Sequence, residues 1–269
     1  MVGSLPFLAI FALLGLQDPA PHEEKALDVR VRAVFPFLSG DLSSTDNDIR
    51  GATLDVEGDL DLESPGDSAD LMISALVFPW FRIHAEYWVS RFQGSDIADE
   101  SYFFGGSFYP QTARVDTDLE MHIGTLMGEY NVLLYRTPNW RAEIGLEAGL
   151  GIIGMDIEVA NRSALPSFTE RQRFAAPVPL VGLYGKLEAF SNVSLEVRLK
   201  GTSVRGFDGA DITFLKGSVE LQAALFKGVY ISGGWHFLIN SGKVEPRDDE
   251  EIDYDFTFNG PFFSFGYTF

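Results

Sequence analysis

Two groups of residues have the types that do chemistry, and each becomes a group only if two strands meet in one register. Arg136 to Trp140 reads as a tight connection, and pairing Tyr135 with Arg141 across it sets Glu129 opposite Glu147. Facing carboxylates repel unless a cation or a proton lies between them. They read as a general acid/base pair or a metal site, or as anions neutralised by Arg or Lys from neighbouring strands, the commoner arrangement. Around Phe226 to Gly228, pairing Leu225 with Val229 sets Ser218 against His236, with Glu220 one inward step away. These are the residue types of a nucleophile, a base and an orienting acid. The competing reading, adopted here, is a hydrogen-bonded interior with no catalytic residue. Around Phe190 to Asn192, pairing Ala189 with Val193 sets Lys186 against Glu196. The other register, Phe190 with Ser194, would oppose Glu188 to Glu196 and Lys186 to Arg198, so charge favours the first.

Little else in the sequence points to chemistry. His84 and His122 are isolated in sequence, and no H-E-x-x-H, glycine-rich phosphate loop or EF-hand spacing occurs. No metal site and no cofactor is expected. Asp46-Asn47-Asp48 and Asp248 to Glu251 read either as collectors of divalent cations or as solvated loop charge. Cysteine is absent, which excludes disulfides, thiolate metal sites and lipid-modified cysteine. A formal charge of −19 excludes a nucleic-acid surface and a polybasic membrane module.

What must position such residues is a set of strands. Period-two alternation runs through Leu27–Phe35, Leu71–Phe78, Phe81–Phe92, Ala113–Tyr135, Arg141–Val159, Val178–Ala189, Val193–Val204, Ile212–Leu225 and Val229–Ile239. In Ala113–Tyr135 the early phase puts Val115, Leu119, Met121 and Ile123 outward, the later one Leu126, Tyr130, Val132 and Leu134. A β-bulge between Gly124 and Leu126 is the expected cause. Residues 39–70 and 243–253 read as long acidic loops, with 53–62 as a β-arm or a further strand. Short turns alternate with long loops, and strands of about twenty residues far exceed the ~5–6 usual in soluble sheets.

The last strand decides the class. In Pro261–Phe269, Phe263, Phe265, Tyr267 and Phe269 share one face, while Ser264, Gly266 and Thr268 share the other. That ending resembles the C-terminal signature of bacterial outer-membrane β-barrel proteins, whose last strand carries alternating aromatics and ends in Phe. The resemblance implies an all-β fold: a closed antiparallel transmembrane β-barrel of about ten strands (eight to twelve), with short periplasmic turns and long outer loops. It also implies an integral place in the bacterial outer membrane, contact with its lipid, and a barrel-assembly machinery that reads the final strand. Leu5 to Leu16 is too short to span a membrane as a helix and fits a secretory signal peptide over residues 1–20. Residues 21–26 then form a leader and 27–269 the barrel.

Inward faces assigned by alternation carry Arg30, Arg32, Arg82, Lys186, Arg198, Lys200 and Lys216. Against these bases stand Asp28, Glu86, Glu129, Glu143, Glu147, Glu188, Glu196 and Glu220, with His84 among them. A selective pore usually shows a one-sided ring of charge, whereas near-balance suits ion pairs filling a narrow interior. Gly145, Gly149, Gly182 and Gly234 would make room for the long cationic heads. The expected role is a structural or surface-interaction barrel. A narrow channel and a lipid-modifying hydrolase are the alternatives.

Overall fold

The computed structural model describes residues 26–46, 49–137, 139–163, 167–189, 192–207, 210–247 and 250–269. The expected signal peptide lies outside them. Fourteen strands are present among the described residues: β1 (Leu27–Val34), β2 (Phe37–Asp46), β3 (Ile49–Asp55), β4 (Asp67–Phe78), β5 (Phe81–Ile97), β6 (Tyr102–Phe104), β7 (Ser107–Tyr109), β8 (Arg114–Arg136), β9 (Trp140–Asn161), β10 (Phe168–Ala189), β11 (Val193–Phe207), β12 (Ala210–Phe226), β13 (Val229–Arg247) and β14 (Glu250–Thr268).

Every neighbour is antiparallel, and β1 pairs with both β4 and β14, so the sheet closes. β1 and β2 lie along β14 in one unbroken register, Val34 opposite Phe262 and Phe37 opposite Asn259, with Phe35-Pro36 between them. They form a single wall strand, and β3 with β4 forms the next. The wall therefore has ten strands. Following paired residues round it from Leu27 leads to Ala75, Ile83, Gly128, Ala148, Val181, Gly201, Leu215, Ile239 and Thr257, and returns at Ser39. That twelve-residue stagger, Leu27 to Ser39, gives a strand tilt of about 40°.

The segments read as acidic loops are mostly wall. Residues 37–46 pair with β14, which itself begins at Glu250, and 49–55 pair with 37–46. Among the described residues of these segments only 56–66 leaves the sheet, burying Leu60 and Leu62, with the Glu63 amide donating to the Gln93 carbonyl at 2.9 Å. β10 starts at Phe168, ten residues before its apolar alternation becomes readable. These strands escaped sequence reading because their outward faces are charged.

That outward charge reveals the main feature of the fold. On β14 the outward residues below Pro261 are Phe263, Phe265 and Tyr267; inward, after Phe262 at the boundary with Arg32 over its ring, come Ser264, Gly266 and Thr268. Above it the outward residues are Asp253, Asp255, Thr257 and Asn259, while Ile252, Tyr254, Phe256 and Phe258 point inward. The lower wall has an apolar exterior and a polar interior; the upper wall has the reverse. β8 shows the same exchange and corrects the expected bulge. Its alternation runs unbroken from Arg114 to Tyr130, with Val115, Leu119, Met121 and Ile123 buried inside and Leu126 and Tyr130 exposed outside. The apparent slip is a change of surroundings, not of phase. Lipid gives way to water outside, and the inward face changes from polar to apolar.

Register shifts occur at both ends of the wall, at Ser43/Thr45, Val204/Phe207 and Val244/Arg247 above, and at three lower turns. One between Asn131 and Leu133 makes Tyr135 pair with Ala142 rather than Arg141 and sets Leu134 beside inward Glu143. Another between Ala224 and Phe226 makes Phe226, not Leu225, the partner of Val229. The lower rim exposes Phe78, Trp80, Tyr135, Trp140, Phe226 and Phe269, an aromatic girdle suited to a lipid–water boundary.

Above the apolar band the outer face is laced with ion pairs. Arg171 and Arg173 both donate to Asp156, whose carboxyl is held below the usual range by the Arg171 hydrogen bond first and by Arg173 in support. A hairpin of β6 and β7 closes the upper mouth. Gly105 and Gly106, at φ 57° and 78°, form its two-residue turn, where other residues would be strained. On one side a side chain at Gly51 of β3 would collide with the Phe103 carbonyl. On the other, Tyr109 Oη donates to the Val159 carbonyl at 3.0 Å and Ser107 bonds Glu170. The hairpin's own Phe104 and Tyr109 are fully buried.

Candidate functional site

The lower interior holds all the titratable residues that alternation pointed inward. Strands fix their Cβ directions, so the network is set by register. At its centre Glu220 on β12 accepts from Arg30 Nη1 at 2.6 Å, Arg32 Nη2 at 2.7 Å and Ser232 Oγ at 2.5 Å. Arg30 also reaches Glu196 at 3.2 Å and Asp28 at 3.2 Å. Tyr230 Oη accepts from Arg30 Nε at 2.9 Å and donates to Asp28 at 2.7 Å. Arg32 donates to Asp70 at 3.0 Å, and Glu86 accepts from Lys216 at 2.5 Å and from Lys200.

A second node lies around Arg198. Its guanidinium donates to Glu196 at 2.8 Å, to Glu129 at 3.2 Å and to Glu147, and stands 4.3 Å over the Tyr184 ring. Glu129 and Glu147 are directly opposite in the sheet. Arg82 approaches Glu129 at 3.6 Å, and His84 Nε2 lies 4.0 Å from Glu147. Lys186 opposes Glu196 as charge logic required, and with Glu188 sits half-buried at the lower mouth, near Glu143, which is ion-paired with Arg141. Gly182 does make room: a side chain there would press on Lys200 Cβ at 3.0 Å and Glu147 Oε2 at 3.1 Å.

Sequence reasoning left out Asp70, Arg141, Tyr184 and Tyr230. Asp70 fell in the stretch taken for a loop, although its alternation with Met72 and Ser74 carried the signal. Counting it and Arg141, nine acids face eight bases among the described lumen residues, so the lumen holds one unit of the −19 charge.

Ser218 and His236 are register partners, as expected, yet no hydrogen bond joins them. His236 is 3% exposed, neither ring nitrogen has a protein partner, and its ring lies 6.0 Å from Trp88. Glu220 serves the two arginines instead. The geometry therefore brings the three residue types together without making a relay. His122 lies outside on β8, accepting from or donating to Tyr87 Oη at 2.7 Å. Of the acidic runs, 47–48 and 248–249 lie outside the described residues; Glu251 pairs with Lys243 at 2.7 Å.

Above this charged layer comes an apolar one. Trp88, wholly buried, marks the boundary, with Lys216 Nζ 5.9 Å from its ring and Phe258 5.6 Å away. Beyond it Leu38, Leu42, Leu54, Phe92, Leu119, Ile157, Phe214 and Phe256 fill the interior up to the hairpin.

No protein-family model and no curated protein matches this chain. Among solved structures, the outer membrane protease OmpT of Escherichia coli superposes with a TM-score of 0.53 at 15% identity, over 91% of this chain and 97% of that one. The translocator domain of the autotransporter NalP of Neisseria meningitidis gives 0.40 at 13% identity, covering 97% and 93%. The transport unit of the autotransporter AIDA-I of Escherichia coli gives 0.41 at 8%, covering 98% and 97%. The chain has the fold of bacterial outer-membrane β-barrels.

Proposed function

We propose that this chain is an integral outer-membrane barrel that conducts no ions and serves as a rigid scaffold, holding an acidic extension above the bilayer. One observation carries the reading: the interior is filled twice over, by paired charge below and by packed apolar side chains above. A pore needs a continuous wet path, and a one-sided charge to select. Purified protein in planar bilayers is expected to give no steady conductance; reproducible ion-selective steps would promote the narrow channel instead.

The outward band of Val31, Leu71, Ile83, Leu126, Leu146, Val181, Val197, Val219 and Phe265 supports contact with membrane lipid. Divalent cations at the acidic outer strands, and secretion by an N-terminal signal peptide, fit the same placement. A hydrolytic role gains nothing from the Ser218–His236 pair, and fold likeness at 15% identity carries no activity across.

Insertion through the assembly machinery rests on the final strand. The Phe269 amide donates to the Leu27 carbonyl and its carbonyl accepts from the Ala26 amide, so this residue also closes the seam between β1 and β14. Deleting Phe269 is expected to lower the inserted fraction severalfold in cells. Unchanged outer-membrane levels would remove the assembly role.

A further inference from the structure

We propose that His84, Glu129 and Glu147 form a buried binding site for one divalent transition-metal ion of the zinc class. They sit on three adjacent strands, β5, β8 and β9, all pointing inward. One ring nitrogen of His84 and one carboxylate oxygen from each glutamate lie within 4.8 Å of one another. That spacing fits a single ion touching all three after small side-chain rotations.

Two independent observations point to a ligand here rather than to structural charge alone. First, each member keeps a buried atom with no hydrogen-bond partner: His84 Nδ1, Glu129 Oε1 and Glu147 Oε2. All three residues are at most 3% exposed, so water reaches none of them freely. Second, Arg198 binds the two glutamates from across the barrel without using those free oxygens: it donates to Glu129 Oε2 and Glu147 Oε1. A guanidinium hydrogen-bonded to both carboxylates is the kind of outer partner that orients ligating carboxylates, and Glu147 Oε1 is also the oxygen 4.0 Å from His84 Nε2. Arg82 Nη1 lies 3.6 Å from the free Glu129 Oε1, and its side chain is 19% exposed.

The donor set selects the metal class. Two carboxylates with an imidazole favour Zn²⁺ and its neighbours over Mg²⁺ or Ca²⁺, which take oxygen alone. Three protein donors leave a fourth position for water. The ion would join three wall strands at the level where Glu129 faces Glu147, a role beyond the passive scaffold proposed above and independent of it.

The test is to refold the full chain in detergent with Co²⁺, so that burial does not limit entry, and to record its visible d–d absorption after desalting. One equivalent of tetrahedral Co²⁺, displaced by Zn²⁺, is expected. His84→Ala, Glu129→Gln and Glu147→Gln should each weaken retention by at least about tenfold, while exterior His122→Ala retains the full band. Far-UV circular dichroism checks that each variant is folded. Absence of the band in the refolded wild-type chain, or its persistence in folded His84→Ala, overturns the site.

Discussion

Truncating Glu220 to alanine is expected to cost about 3–5 kcal/mol, the range for breaking a buried ion pair by removing one partner. Its carboxylate accepts from Arg30, Arg32 and Ser232, and all four side chains are buried. Arg32 would be left with Asp70 at 3.0 Å and a distant Glu86 at 3.8 Å. Arg30 would keep Glu196 and Asp28. The loss is not that of one contact but of the charge that permits two guanidinium groups to sit side by side. Glu188→Ala, at the half-buried lower mouth, should cost at most about 1 kcal/mol, since water screens what is lost. Urea unfolding in lipid vesicles measures both. A Glu220→Ala barrel within 1 kcal/mol of the parent would mean the lumen is hydrated enough to replace the carboxylate.

The second large effect tests the exchange of faces. Phe258→Asp is expected to destabilise by at least about 3–5 kcal/mol, the cost of removing a buried Phe, with the burial of a charge added. Phe258 is fully buried and packs its ring against Trp88, Phe92 and Phe256. Three residues along the same strand, Asp255→Leu should change stability by less than about 0.5 kcal/mol, because it points into water above the lipid. In a barrel with a wet interior throughout, the ranking would be reversed: aspartate at 258 would be tolerated. Equal, small effects at both positions would show that the upper interior is solvated.

The closed barrel was legible because two signals agree along most of the chain. Apolar alternation marks each lipid-facing span, and the aromatic ladder of Phe263, Phe265 and Tyr267 marks the last. The facing pairs Glu129–Glu147, Ser218–His236 and Lys186–Glu196 were legible too, since parity and turn length leave few registers open. What stayed hidden was much of the wall above the lipid. There the apolar residues alternate just as strictly, but they point inward, so Glu250–Asp253 reads as part of an acidic loop, and Tyr254–Asn259 and Phe168–Pro177 are assigned to no strand. No rule of periodicity tells which side of a wall is wet. Asp70 was lost because it falls at the end of the stretch read as a loop, and the Arg198 node could not be foreseen because its partners come from strands far apart in the chain.

The exchange of faces also fixes how deep the wall sits. Moving it downward by two residues along β14 would draw Asn259 and Thr257 toward hydrocarbon, with Asp255 next in line. Moving it upward would lift Phe263 and Phe37 into water and bury the lower rim's backbone ends. Each strand carries this transition at its own height, so the ten transitions together act as a depth gauge. A bilayer thinner or thicker than the band must bend to meet the protein, because the protein cannot slide to meet the bilayer.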